Sequence, residues 1–157
     1  MAVVIRYGKG IKDPAVNSIP RPVHAEAEVR ALISKVSILA TDDVLSKQYF
    51  GKLPSHAIIS PQSQLHHGVL TGCSDYDVGL EKEDGTVVDA DILLDGADIV
   101  LAGTKSLSPA IGNLDKRVWE LLGLAADPGL TYNVVGICKA EPTAGADVAI
   151  ELYWLRG

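Results

Sequence analysis

The chain is poor in aromatic residues, and this limits how its interior can be built. Aromatic residues make up 5% of the 157 residues, with a single Phe, and there is only one Met. The core must therefore consist of Val, Ile, Leu and Ala, which favours thin, tightly packed sheets over a deep aromatic pocket. A chain of this length can form one domain whose buried core is large enough to be stable without disulfide bonds or bound metal ions.

Cysteine is also scarce, and the two residues present have no metal or redox spacing. Cys73 and Cys138 both lie in strand-like runs, so we expect them to be small buried apolar side chains. A disulfide between them requires that the two strands be neighbours in the fold, which the sequence leaves open.

No motif for catalysis or cofactor binding is present. The Gly-x-Ser-x-Gly motif of serine hydrolases is absent, and the residues around Cys73 do not match the motif of a catalytic cysteine. The Gly8-Lys9-Gly10 segment is not followed by the Lys-Ser/Thr pair that completes a phosphate-binding loop. We therefore predict a protein that is not an enzyme, with no catalytic residue and no cofactor. A triad assembled in space from the four histidines and the serines is the alternative.

Metal binding has two candidate patterns, and neither is complete. His66 and His67 are adjacent, so in a strand their side chains point to opposite faces and do not chelate one ion. We expect one surface histidine and one half-buried histidine. The acids between Asp84 and Asp98 offer oxygen ligands for calcium but lack the EF-hand loop pattern. No metal site is predicted, and a structural calcium ion among these acids stays the alternative.

Charge is unevenly distributed along the chain. The net charge is −6, yet residues 1–35 carry six basic groups against three acids, and residues 75–98 carry nine acids against one base. This asymmetry suits head-to-tail contacts or docking on a large partner, while solvated loops of opposite sign are the simpler alternative. A basic, aromatic-interleaved face is missing, so nucleic-acid binding is not expected. The apolar run at the N-terminus is too short for a signal peptide or a membrane span, which predicts synthesis in a cytoplasm.

The order of elements predicts a mainly β fold. Residues 1–22 contain scattered charges, two glycines and three prolines, which predicts an extended N-terminal arm, and residues 23–157 are predicted to form a single β-sandwich domain. The stretch 25–33 stays open, because it fits both helical and strand spacing. The Asp84-Gly85 pair predicts a hairpin turn, and 91–101 reads as two short strands or a loop that crosses between sheets. Other predicted strands are 36–40, 46–50, 57–60, 64–71, 76–80, 86–88, 131–140 and 146–155. In 76–80 the apolar residues share one face, which predicts a half-buried strand, and in 146–155 one face holds Val148, Ile150, Leu152 and Trp154.

Three further details follow from local patterns. Gly51 is expected to interrupt a strand, and Pro54 to begin the next one. One short helix is predicted near 115–123, capped by Asn113 or Asp115 and ended by Gly123. Seven or eight short strands with regular turns favour an antiparallel β-sandwich, jelly-roll-like in topology.

The two tryptophans are expected to anchor packing. Trp119 falls on the predicted helix and Trp154 near the end of the last strand. In a core so poor in aromatics each is a natural packing residue. The functional alternative places Trp154 at a subunit interface or in a sugar-binding platform.

Several short segments, taken in order, resemble the head-decoration or capsid-cement proteins of tailed bacteriophages. The resemblance covers about residues 36–155 and rests on the order and spacing of these segments. They are Ala40–Asp43, Leu53–Ile59, Asp77–Leu80, Val88–Leu93, Trp119–Pro128 and Glu151–Tyr153.

The resemblance implies a non-enzymatic virion structural protein. Such a protein would be made in the host bacterial cytoplasm, bind the outer capsid surface, often as a homotrimer, and stabilise the lattice of the major capsid protein. It implies no catalytic, cofactor or metal residue. The arm lies outside the resemblance, and we expect its basic residues Arg6, Lys9, Lys12 and Arg21 to contact the capsid or a neighbouring subunit. The alternative function is a β-sandwich tail or fibre module that recognises host carbohydrate, with Trp154 as its aromatic platform.

Overall fold

Nine strands in two antiparallel sheets are present in the part of the chain that the structure describes. The computed structural model describes residues 28–156. It contains one short helix, α1, and a 3-10 turn at Ile111–Asn113. Within 28–156 no helix is long and apolar enough to cross a membrane. The elements are β1 (Val29–Ile38), β2 (Lys47–Pro54), β3 (Ala57–Ile59), β4 (Gln64–His67), β5 (Tyr76–Glu81), β6 (Val87–Ala97), β7 (Gly103–Ser106), α1 (Val118–Leu121), β8 (Thr131–Cys138) and β9 (Ala146–Arg156).

The strand order is that of a jelly roll. One sheet runs β1-β9-β4-β7, with β3 also paired to β9, and the other runs β2-β8-β5-β6. When β3 and β4 are counted as one interrupted strand, the pairs β1·β9, β2·β8, β4·β7 and β5·β6 are those of a long antiparallel hairpin rolled into two sheets. The predicted fold class is confirmed.

The core lies between the two sheets and is mainly aliphatic, as the composition predicted, but it also contains four aromatic side chains: Phe50, Tyr76, Tyr132 and Trp154. In β9 the residues Val148, Ile150, Leu152 and Trp154 are buried while their neighbours are not, so the predicted alternation is confirmed. A strand with period-two alternation presents one face to the core. The opposite sheet contributes its own buried row from β5: Tyr76, Val78 and Leu80.

The stretch 25–33, for which the sequence fitted both a helix and a strand, forms a strand from Val29 onward. Strand β1 pairs with β9 through ten consecutive residue pairs, from Val29–Leu155 to Ile38–Ala146, without a register shift. Pairing with a distant strand thus overrides the helical spacing of the apolar residues. Residues 25–27 lie outside the described part of the chain.

Strand β2 corrects the expectation for Gly51 and Pro54. The strand continues through Gly51 by means of a register shift after Tyr49, and Pro54 is its last residue rather than the start of the next element. A Cβ atom at Gly51 would collide with the side chain of Leu32 in β1. The glycine is therefore present because β1 crosses close above it, not because the strand ends.

The hairpin of β5 and β6 combines a confirmed turn with an unexpected bulge. The Asp84-Gly85 turn is confirmed: the Lys82 N–H donates to the Thr86 carbonyl at 2.9 Å. Strand β6 is a single strand, and this corrects the expectation of two short strands or a loop. Val78 pairs with Leu94 and Leu80 pairs with Asp89, so four β6 residues stand opposite one β5 residue. This bulge covers Gly79, so β5 is buried on both faces, which corrects the expectation of a half-buried strand.

The helix is shorter than predicted and has a different cap. Helix α1 covers Val118–Leu121, and its N-cap is Arg117 rather than Asn113 or Asp115. The Arg117 N–H donates to Glu120 Oε2 at 2.8 Å, which satisfies a backbone donor at the helix start. Gly123, at φ 69°, ends the helix as predicted.

The two cysteines are buried and joined in a disulfide. Cys73 precedes β5 and Cys138 ends β8, and these two strands are neighbours in one sheet. The Cα atoms are 6.0 Å apart and 65 residues apart in sequence. The expectation of burial is confirmed, and the condition for a disulfide is met.

Candidate interaction surfaces

The adjacent histidines lie on opposite faces of β4, as the sequence predicted. His66 is half-exposed, with Nε2 3.7 Å from Glu151 Oε2. His67 is buried, and its Nδ1 lies 3.3 Å from the Gly68 carbonyl oxygen. Burial lowers the pKa of His67 below its ordinary value. A neutral ring that donates from Nδ1 to Gly68 leaves Nε2 as a hydrogen-bond acceptor.

A small polar cavity lies beside His67. Its volume is about 260 Å³, and Asp98, Thr104 and Lys105 are among the residues that line it. His67 Nε2 is buried without a protein partner, and a cavity of this size and polarity readily holds water that would bridge such an atom. The cavity therefore gives the buried Nε2 atom of His67 access to a small solvent-sized space.

The buried Ser55 hydroxyl contacts the exposed carboxylate of Asp127, and the role of this contact is structural. The Ser55 hydroxyl donates to Asp127 Oδ1, which also accepts the Gly129 N–H at 2.9 Å. These two hydrogen bonds, that of Ser55 first, hold the pKa of the Asp127 carboxyl below its ordinary value. The Ser55 proton is directed to a carboxylate rather than to an imidazole, so this pair positions the 127–129 turn and does not form a nucleophile–base pair.

Two buried carboxylates stiffen the outer face of the second sheet. Asp77, fully buried on β5, pairs with Lys139 and accepts the Gly96 N–H at 2.8 Å. Glu81, at the other end of β5, pairs with Lys47 and accepts the Tyr49 hydroxyl at 3.0 Å. Each buried charge thus has both an ion-pair partner and a hydrogen bond, the condition under which such groups are tolerated.

Four other acids of the 75–98 stretch lie on the edge strand β6 or directly after it: Asp89, Asp91, Asp95 and Asp98. Asp91 lies near three other acids, Asp89, Asp95 and Asp77. Its pKa is raised first by a hydrogen bond with Asp89, then by burial and by the negative charges of these three neighbours. Among residues 28–156, no three His, Cys, Asp or Glu side chains are placed to hold one metal ion. What these acids create is a negatively charged surface that suits a basic partner.

Trp154 is a core residue and lies at the floor of a basic groove. Only 8% of it is exposed, so a sugar ring would find little aromatic surface there. The groove, about 320 Å³, is lined by Trp154 with Arg30, His56 and Arg156 among others. This convergence has no local signal in the sequence, because it depends on the β1–β9 register, in which Arg30 stands opposite Trp154. The role of Trp154 at a subunit interface stays a prediction.

Trp119 lies on α1 and is partly buried, in keeping with a packing role. Its backbone N–H donates to the Ser55 carbonyl at 3.0 Å, which ties the helix to the loop between β2 and β3. The arm residues Arg6, Lys9, Lys12 and Arg21 lie outside the described residues, so their partner contacts stay a prediction.

Comparison with known proteins gives one informative match. No protein-family model matches the chain, and no curated protein does. A chain from the capsid of Ralstonia phage GP4 has the same fold, with a TM-score of 0.61 at 18% sequence identity. The match covers 87% of this chain and 90% of that chain. At this identity the likeness shows the fold.

Proposed function

We propose that this chain is a non-enzymatic structural protein of a phage virion that binds the outer capsid surface and stabilises the lattice of the major capsid protein. The observation that supports this most directly is the shared jelly-roll fold with a chain from a phage capsid. Because the match spans nearly all of both chains, the two are of similar length. The likeness therefore extends over nearly the whole of that capsid chain.

The internal construction of the domain suits a rigid clamp. The Cys73–Cys138 disulfide links the loop before β5 to the end of β8. On the outside of the same sheet, Asp77 links β5 to the adjacent strand β6, and Glu81 links β5 to β2 across β8, both through charged hydrogen bonds. A binding block of this kind loses little conformational freedom on docking, so more of the contact energy appears as affinity.

The charge distribution supports a partner-binding arm. Arg6, Lys9, Lys12 and Arg21 give the first 22 residues a positive balance, while the β6 surface is acidic. An arm that becomes ordered on binding adds contact area at a cost in chain entropy, and many symmetric copies on one shell offset that cost through avidity. The major capsid protein is the proposed target of the arm, and a homotrimer is the proposed form of the clamp.

The test is co-sedimentation of the purified chain with expanded, undecorated heads of a phage that carries this gene. Saturable binding at a fixed ratio to the major capsid protein is expected, and a ratio of three copies per site would support the trimer. Absence of binding at high excess would overturn the proposal and favour the tail or fibre module. A deletion of residues 2–20 is expected to weaken binding, and replacement of the four basic arm residues by Gln separates the contribution of charge from that of chain length.

A further inference from the structure

Three of the four sheet edges in the described part of the chain are protected against pairing with another strand. Strand β2 contains a register shift after Tyr49 and ends in Pro54. Strand β6 is broken by bulges and carries acidic residues. Strand β7 has only four residues, one of them Lys105. Bulges, prolines, charges and short length are the devices that keep edges from associating.

Strand β1 is long and has neither a bulge nor a proline, and its two charged residues, Arg30 and Lys35, each pair with an acid of the same chain. It has ten residues without Pro or Gly, and its register with β9 is regular throughout. Two of its large apolar side chains point to solvent: Val29 is 63% exposed and Ile33 is 68% exposed. A long, regular edge strand with exposed apolar residues is a ready template for a further strand.

The charges of β1 are already balanced within the chain. Lys35 Nζ lies 2.7 Å from Asp147 Oδ2, and Arg30 pairs with Glu28 at 2.9 Å. A strand with unbalanced lysines would repel a second copy of itself. Here each cation carries its own acid, so two β1 edges can approach without an accumulation of like charge.

From these observations we infer that β1 is a two-fold interface at which a second copy of this chain adds its own β1 in antiparallel fashion. The register that the side chains favour places Ile33 opposite Ile33 of the partner subunit. Lys35 then faces an alanine, Ala31, and Val29 faces Ser37, so no two like charges are opposed. The result is one continuous sheet across the two copies, in which the exposed isoleucines bury each other.

Neighbouring registers are less favourable for stated reasons. If the register between the two β1 strands were shifted by one residue, the outward-facing side chains of one strand would pair with the core-facing side chains of the other. A slip of two residues in one direction would separate the two Ile33 side chains and set Lys35 against Val29. The inference does not rest on the capsid proposal, because the edge belongs to the fold itself, and a two-fold contact is a different interface from a three-fold one.

The test is sedimentation equilibrium of the full chain and of two variants, Ile33→Asp and Ile33→Lys. The wild-type chain is expected to show a monomer–dimer equilibrium, and each variant to dimerise at least about tenfold more weakly, since like charges then face each other. An equimolar mixture of the two variants is expected to regain dimer, because Asp now faces Lys. Ile111→Asp is the matched control: Ile111 is 91% exposed but lies in the 3-10 turn, away from both sheets, so its dimerisation should match wild type.

Three results would overturn the inference. A wild-type chain that stays monomeric at its highest soluble concentration has no such interface. Hydrogen exchange on that monomer would then tell whether another part of the chain covers β1, since covered backbone amides exchange slowly. A dimer that is equally stable in both Ile33 variants uses a different surface, and a mixture that regains no dimer excludes the Ile33-centred register.

Discussion

The disulfide gives the most quantitative prediction about this protein. Cys73 and Cys138 are separated by 65 residues, so the bond closes a long loop in the unfolded chain. In the chain-entropy description, a loop of this length removes about 15 cal/mol/K from the unfolded state, which corresponds to about 4 kcal/mol at 25 °C. Against a total stability of roughly 5–15 kcal/mol for a domain, this is a large share.

We expect the double variant Cys73→Ala/Cys138→Ala to lose about 4 kcal/mol of unfolding free energy, and its Tm to fall by roughly 8–16 °C. Urea unfolding followed by circular dichroism measures the loss. The slope of free energy against urea should also increase, because the unfolded chain without the cross-link exposes more surface.

The wild-type chain in strong reductant is the matched control, because it lacks the cross-link but keeps both side chains. A loss below about 1 kcal/mol in both samples would refute the entropic argument. After air oxidation, free thiols in the folded protein would refute the pairing itself. Protein kept in reductant from lysis onward should carry two free thiols, and these should form the disulfide when the reductant is removed in air.

Three other predictions concern single positions. Burial lowers the pKa of His67, so just below pH 6.5 the unfolded state binds more protons than the folded state. Between pH 7.5 and pH 5.5 the Tm of the wild type should therefore fall more than the Tm of His67→Gln. An equal fall of Tm with pH in both proteins would contradict this. A Cβ at Gly79 would collide with the β6 backbone, whereas one at Gly112 meets nothing; Gly79→Ala should therefore cost about 1–3 kcal/mol in urea unfolding and Gly112→Ala less than about 0.5 kcal/mol. Lys139 neutralises a fully buried acid, and Lys35 an exposed one; Lys139→Ala should thus lower the Tm further than Lys35→Ala, and the reverse order would refute the argument.

Features that depend on adjacent residues could be predicted from the sequence. The alternation of Val148, Ile150, Leu152 and Trp154 predicted which face of β9 is buried, because neighbouring residues of a strand point to opposite sides. The same argument predicted that the side chains of His66 and His67 point to opposite faces of their strand. The Asp84-Gly85 turn and the end of α1 at Gly123 were predicted because both depend on residues that readily adopt special backbone angles.

Features that depend on strands far apart in the chain could not be predicted from the sequence. The stretch before residue 33 fitted two periods, and only the pairing of β1 with β9, more than 100 residues away, made it a strand. The convergence of Arg30, His56 and Arg156 at one groove has the same origin. The alternation in β5 predicted a half-buried strand, and the bulge of β6 that covers its outer face gave no local signal.

The sequence by itself thus determined the class of the fold, the aliphatic core and the scarcity of chemistry-bearing motifs, because these follow from composition and from short-range periodicity. Only the tertiary structure decided that Cys73 and Cys138 are bonded, that Asp77 and Glu81 are buried with partners, and that β1 is left as the open edge. The physical reason is that each of these depends on which distant strands pair and in which register, and the local pattern of a strand specifies its faces but not its neighbours.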